Sequence, residues 1–402
     1  MAGYDFLRGL KVLEVAQLGP SSLGGYLADM GAEVIKIEGA DGDPVRHTGS
    51  PAVSAPDGVG FLHLRWNRGK KSVGVNLDSE QGRVVFRRLA AKSDVVIEGM
   101  RAGYLERLGL GFETLRADNR KLVFCSLSGL GSTGPYHTLG SHAPAFDAFA
   151  ALSATNLYAL TSAQRAKADW APIGMNAMGL NAALGTLAAV IRARATGEGA
   201  SIEVTGAESA AHWLPDGVDR ALNTGQLHQR PGFLHEDGKM IGWPRLHAYE
   251  TSDGRQIFFQ ATRPKFWERF CRAVERTDLQ TVDDELIFRE LTAIFRTRRA
   301  SEWMELFLSK GIAGGPVNTV ESLATDPHFL ARENVYEVRG PDGKPLRLAA
   351  TPVKTPGQSF APALAPGQWQ HTQQVLTDVL GLGANEMRDL LDQGAIYSHA
   401  AR

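Results

Sequence analysis

Short runs rich in aliphatic and β-branched residues punctuate the first third of the chain, at 10–16, 32–38, 72–77, 94–98 and 122–128. The run at 32–38, AEVIKIE, alternates apolar and polar residues, as a strand does. Gly19 and Pro20 break the chain after the first run, and Ser21 or Ser22 is placed to cap a helix reaching about Met30. Gly31 ends that helix, and residues 80–92 carry a second stretch of helical spacing. The turn DGDP at 41–44 follows the second run. Short strands separated by helices predict an open, mostly parallel α/β sheet of Rossmann type. Ligands of such sheets bind beyond the carboxyl ends of the strands.

From about residue 140 the pattern changes to Ala-rich helix, with one long helix predicted at 176–194, a stop at TGEG (196–199) and a strand at 201–204. Residues 214–246 read as a loop, dense in Pro and Gly. A hairpin turn at 249–254 precedes a strand at 256–260, and helices are predicted at 264–277, 283–295 and 300–310. The tail returns to short strands and Pro-rich turns and closes with a helix at 384–393. At 402 residues the chain is expected to form two domains.

Composition narrows the function classes. Apolar content of 43% and charged content of 22% are those of an ordinary globular protein. A formal net charge of −1 provides no global field for nucleic acid or an anionic membrane. Cys125 and Cys271 show no metal-ligand spacing and are expected to be reduced and buried. No signal-peptide pattern opens the chain and no uninterrupted apolar run reaches the roughly 18 residues of a membrane span, so the cytoplasm is the expected compartment.

An ordered series of motifs carries more information than any of these. It comprises LRGLKVLEV at 7–15, QLGP at 17–20, LADMGAEVIKIE at 27–38, GDP at 42–44, NRGKKS at 67–72 and LERLGLG at 105–111. SLSGLGSTGPY at 126–136, TGEG at 196–199, FWERF at 266–270 and GPV at 315–317 complete it. In this order the series resembles the family III CoA-transferases, the CaiB/BaiF family, which also includes α-methylacyl-CoA racemases. The resemblance implies a large Rossmann-like domain built from both chain ends (1–213 and 328–402), with a smaller α/β domain at 214–327 between them. It further implies an interlocked dimer with active sites between chains. CoA or acyl-CoA enters as substrate beside a carboxylic acid, and no permanently bound cofactor is expected.

The resemblance assigns roles residue by residue. Gln17 and Gly19 fall in the turn that contacts CoA. Lys70 or Lys71 falls in a loop that holds nucleotide phosphates, where the residue-level alternative is a solvated basic run. Arg101 stands in EGMRAG (98–103), where the family commonly has Glu-Asn-Phe-Arg-Pro-Gly. Gly39 replaces an Arg that faces the nucleotide in many members. In place of a Gly-rich covering loop the chain has KMIGWP at 239–244, with Trp243 expected to plug a pocket or pack at an interface.

One departure dominates. In the transferases an Asp carboxylate attacks the acyl-CoA thioester, giving a mixed anhydride and then an aspartyl-CoA thioester. That Asp lies just before the long Ala/Gly-rich helix; counting back from Gly185 with the family's spacing places it at Met175, and counting forward from Pro172 places it at about Met178 or Gly179. Between Trp170 and Gly197 this chain has neither Asp nor Glu. Methionine cannot serve as that nucleophile or move a proton. Asp169 is the nearest carboxylate, and Glu198 belongs to the helix-ending turn. HAPAFD at 142–147 lies near the racemase branch's His-Asp pair, but its spacing differs and the second acid is absent, which disfavours racemisation. The expectation is a subunit that pairs with a related, Asp-bearing chain in a heteromer. The alternatives are an active homodimer using Asp169 and a non-enzymatic acyl-CoA binder.

Overall fold

The computed structural model describes residues 3–48, 59–152, 172–214, 217–225, 233–234, 240–340 and 342–399. Its main sheet is built from β1 (Lys11–Ala16), β2 (Glu33–Glu38), β3 (Lys71–Val75), β4 (Val95–Gly99), β5 (Val123–Ser128) and β6 (Ala200–Thr205). These strands are parallel and stand in the order 3-2-1-4-5-6, with the short strand Ile396–Tyr397 added antiparallel beside β3. This is the order of doubly wound nucleotide-binding sheets, and its direction of winding reverses between β1 and β4. The strands expected from the sequence lie within two residues of those observed.

Helices α1 (Ser21–Asp29), α2 (Phe61–Asn67), α3 (Glu80–Ala90), α4 (Tyr104–Arg107), α5 (Phe112–Asp118), α6 (Ala143–Phe149), α7 (Ile173–Thr196) and α8 (Gly206–His212) surround the sheet. Strand side chains alternate between faces, so two cores form. Leu13, Val15, Ile35 and Val73 pack with Phe86 and Leu89 of α3, and with Val375, Leu376 and Met387 from the chain's end. Val12, Val34, Val95 and Ile97 pack with Leu23 and Leu27 of α1, and with Met178, Ala182 and Val190 of α7. The small residues of α7 permit its close approach to α1: a Cβ added at Gly179 would lie 2.2 Å from Ser22 Oγ. Among the described helices, α7 alone is long and apolar enough to cross a membrane, and its apolarity serves packing on β5, β6 and α1.

Three local expectations are corrected. Neither Ser21 nor Ser22 caps α1: Pro20 is the N-cap, without a side-chain cap bond, and Ser21 lies within the helix. Its hydroxyl turns instead toward Ala16 O (3.2 Å) and the Asp43 carboxylate (3.3 Å). The stretch read as a loop at 214–246 contains a helix, Gly217–Thr224. The helix expected at 264–277 stops at Ala273, because Glu275 adopts φ 56°, a left-handed value that ends helical hydrogen bonding.

The chain divides into two compact units, Met1–Val218 with Glu333–Arg402, and Asp219–Arg332. The second has an antiparallel three-stranded sheet (Leu246–Glu250, Gln256–Gln260, Gly314–Pro316) and helices Pro264–Ala273, Asp284–Phe295 and Ala300–Lys310. Its core is aromatic: Phe259 and Phe270 have ring centroids 4.5 Å apart, and Phe295 and Trp303 4.8 Å. The Trp303 indole N–H donates to Phe295 O at 2.9 Å, so this fully buried Trp leaves no orphaned polar group. Trp243 is half exposed. Cys125 and Cys271 are free and buried, and burial pushes the Cys125 thiol up to about 12.

Candidate active site

A cavity of about 580 Å³ opens beyond the carboxyl ends of β1, β4 and β5, at the point where the winding reverses. Its lining includes the turn Gln17–Pro20 after β1, residues 99–102 after β4, residues 127–131 after β5, the stretch from His137 to Phe146 and the start of α7, with Val45, Thr48, Leu62 and Trp66 completing it. Most of the wall is apolar. Among the described lining residues there is no Asp or Glu, and Arg101 is the one Lys or Arg. Such a wall suits a long, weakly polar arm, with charge met at the rim.

The β1 turn and the start of α7 close on each other. A Cβ added at Gly19 would lie 2.5 Å from Met175 Cγ and 2.8 Å from its sulfur, so a larger residue there would have to displace the Met175 side chain. Met175, one of the positions that the family's spacing gives for the carboxylate, is thus a half-buried thioether packed on the turn after β1. A Cβ at Gly99 would meet Pro20 Cβ at 2.4 Å and Ala16 Cβ at 2.6 Å, so a side chain there would require the turn after β1 to shift. By contrast, a Cβ at Gly39 meets nothing within 4 Å.

A carboxylate does stand at the head of α7, but it comes from α6. The Gly174 N–H donates to Asp147 Oδ1 at 2.7 Å, capping a helix whose N-cap, Pro172, has no side-chain cap bond. Asp147 is 1% exposed, its second oxygen has no hydrogen-bond partner among the described residues, and it does not line the cavity. His142 lines the cavity and Asp147 does not, so the His-Asp pattern in the sequence does not form a cavity pair. Sequence reasoning missed the capping role because the two partners are 27 positions apart.

The basic run at 68–71 is corrected most. Lys70 is fully enclosed: its ammonium donates to Glu14 Oε2 (2.7 Å), Glu14 Oε1 (2.8 Å), Ser21 O (2.7 Å) and Asn67 Oδ1 (3.0 Å). All donors are spent inside the protein, so none is left for a phosphate. Burial, partly offset by Glu14, draws its pKa down to about 8. Lys71 begins β3, at the amino end of the sheet away from the cavity, and pairs with Glu33 at 2.6 Å. Arg68 is also internal, bidentate to Asp29 (2.6 Å for each bond) and stacked near the Phe360 ring. Gln17, Gly19, Arg101 and Met175 do converge on the cavity. Asp169 lies outside the described residues.

Below the cavity floor, Lys36 bridges Asp43 (2.8 Å) and Glu14 (3.2 Å) and donates to Ala16 O (2.6 Å). Burial disfavours its charge, but Asp43 and Glu14 outweigh burial and raise its pKa. Glu38, beside it, accepts from Arg46 Nε at 2.9 Å and Ser72 Oγ at 2.7 Å. The charges inside strands at Glu14, Lys36 and Glu38 were the sequence signal for this network.

Fold and cavity together define a doubly wound α/β protein with a mostly apolar cavity at the switch point of its sheet. The sequence profile of CoA-transferase family III matches residues 7–372, and the chain belongs to that family. It is 31% identical to the succinyl-CoA–L-malate CoA-transferase alpha subunit of Chloroflexus aurantiacus, over 96% of this chain and 91% of that protein. It is 27% identical to the human succinyl-CoA:glutarate CoA-transferase, over 98% of this chain and 90% of that one. Among solved structures, a CAIB/BAIF family protein from Brucella suis superposes with a TM-score of 0.75 at 25% identity, covering 94% of this chain and all of that one.

Proposed function

We propose that this chain is a family III CoA-transferase subunit that moves CoA between an acyl-CoA, such as succinyl-CoA, and a carboxylic acid as the Asp-lacking partner in a heteromer. The observation that carries the proposal is Met175 packed against Gly19 in a cavity whose described wall has no carboxylate. Acyl transfer through an enzyme-bound anhydride requires an oxygen nucleophile at the thioester carbon. The chain keeps the binding turn and the rim cation but offers no such group in the described wall. A related chain bearing the Asp supplies it.

Two further observations favour assembly with a related chain. Leu180, Leu184 and Ile191 are 47%, 72% and 69% exposed and follow helical spacing along α7, an apolar stripe suited to a second subunit. The succinyl-CoA–L-malate CoA-transferase relative is itself named as an alpha subunit. The interlocked dimer implied by the motif series gives one geometry for the pairing, and the carboxylic acid binds where the two chains meet.

The test is reconstitution. The chain purified alone is expected to exchange no CoA between succinyl-CoA and acceptor acids, and co-expression with an Asp-bearing family member from the same genome is expected to restore exchange. Exchange by the lone chain contradicts the proposal.

A further inference from the structure

We infer that Asp43 is a positioning residue for the cavity: its carboxylate holds Leu18 in a left-handed backbone conformation and so sets where Gln17 and Gly19 meet the ligand. The inference rests on the proposal that the cavity takes CoA.

Leu18 has φ 54°, a conformation that glycine adopts freely and leucine disfavours. Yet the position carries leucine, and Leu18 is among the residues that line the cavity. Something other than intrinsic preference must hold the turn. The Leu18 N–H donates to Asp43 Oδ1 at 3.2 Å, and the same oxygen accepts from Val45 N at 3.0 Å. The other oxygen, Oδ2, lies 2.8 Å from Lys36 Nζ and accepts from Ser21 Oγ at 3.3 Å. Lys36 in turn donates to Ala16 O, the carbonyl just before the turn, and the Ser21 hydroxyl is 3.2 Å from the same carbonyl. Both ends of Gln17–Pro20 are thus tied to one cluster of charges.

The cluster admits little movement. Glu14, Ser21 and Lys36 are 0% exposed and Asp43 is 1% exposed. Lys70 seals it from the far side through Glu14. In a dry interior each of these groups is costly to leave unpaired, so the arrangement has one low-energy form. Its consequences reach the ligand side. The Gln17 carboxamide N–H lies 3.4 Å from Gly42 O, next to Asp43, and Gly19 abuts Met175. A shift of Leu18 moves both.

The test uses the full chain, with CoA titrated by calorimetry and amide hydrogen exchange read on the peptide containing Leu18. In the wild type, the Leu18 amide is expected to exchange far more slowly than amides of exposed loops. Asp43→Asn keeps the shape but gives up the charge. It is expected to speed that exchange and weaken CoA binding by about tenfold each. Adding Leu18→Gly, which adopts the left-handed turn freely, is expected to restore CoA affinity to within about threefold of the Leu18→Gly single variant. A purely structural loss at Asp43 has no reason to be rescued there. Unchanged exchange and affinity in Asp43→Asn overturns the inference, as does failure of the rescue. If Asp43→Asn does not fold, loop-like exchange of the wild-type Leu18 amide overturns it and protection sustains it. If the wild type binds no CoA, the functional proposal falls, while the exchange comparison still decides the role of Asp43.

Discussion

Two segments close the same cavity from opposite sides, and they differ in how firmly they are specified. The turn Gln17–Pro20 is held from below by Asp43, Lys36, Ser21 and Glu14, all buried and mutually satisfied. The start of α7 contributes Met175 and Met178 to the wall, and its one carboxylate contact, from Asp147, caps the backbone and stays out of the cavity. The binding side is kept in detail, and the side where the family's spacing places its nucleophile offers only thioethers. A chain that had merely decayed would be expected to lose both. The ionic cluster fixes the turn, and under the proposed function the acid for chemistry at the thioester comes from another chain.

The first way to break the comparison is to damage the firm side. Glu14→Gln leaves Lys36 and Lys70 enclosed with one full carboxylate fewer. It is expected to cost about 3 kcal/mol or more of unfolding free energy, measured by denaturant titration. A neutral outcome would mean that the cluster does not stabilise the turn. Acid probes the same region more gently. His63 is buried beside Arg46, and its ring Nδ1 lies 3.0 Å from Asn67 Nδ2, so burial first and Arg46 second lower its pKa to about 3. The unfolded chain takes up this proton near pH 6.5 and the folded chain does not. Stability is therefore full above pH 6.5 and falls as pH drops toward 3. The loss at pH 5 is about 2 kcal/mol. His63→Gln should flatten that part of the pH profile, and an unchanged slope would assign it elsewhere.

The smallest effects sharpen the binding side. Arg101 is the one described full cation on the wall, so Arg101→Ala is expected to weaken CoA binding about tenfold by calorimetry. The open space around Gly39 should accept Gly39→Arg without loss of stability and tighten CoA by a few fold. Looser binding by the second variant would place the nucleotide away from Gly39.

Much of this was legible in the sequence, and the failures have a common cause. Strand positions, the long α7 and the turn after β1 follow from apolar periodicity and from Gly and Pro placement, which are local signals. Lys70 was misjudged because its partner, Glu14, is 56 positions away, and a basic run looks the same whether it faces phosphate or a buried carboxylate. Ser21 looked like a cap because its sequence position suits one, yet Asp43 draws it into the cluster. Met175 was found only by counting along a family pattern. Its contact with Gly19 needed the fold.

The central claim is that this chain carries no working nucleophile of its own. Incubating the purified chain with succinyl-CoA, trapping with hydroxylamine or borohydride and mapping adducts by mass spectrometry tests it directly. The account predicts no acyl adduct on any carboxylate of this chain, and adducts on the Asp of a co-expressed partner. A trapped adduct on Asp169, or on any other acid of the lone chain, would contradict it.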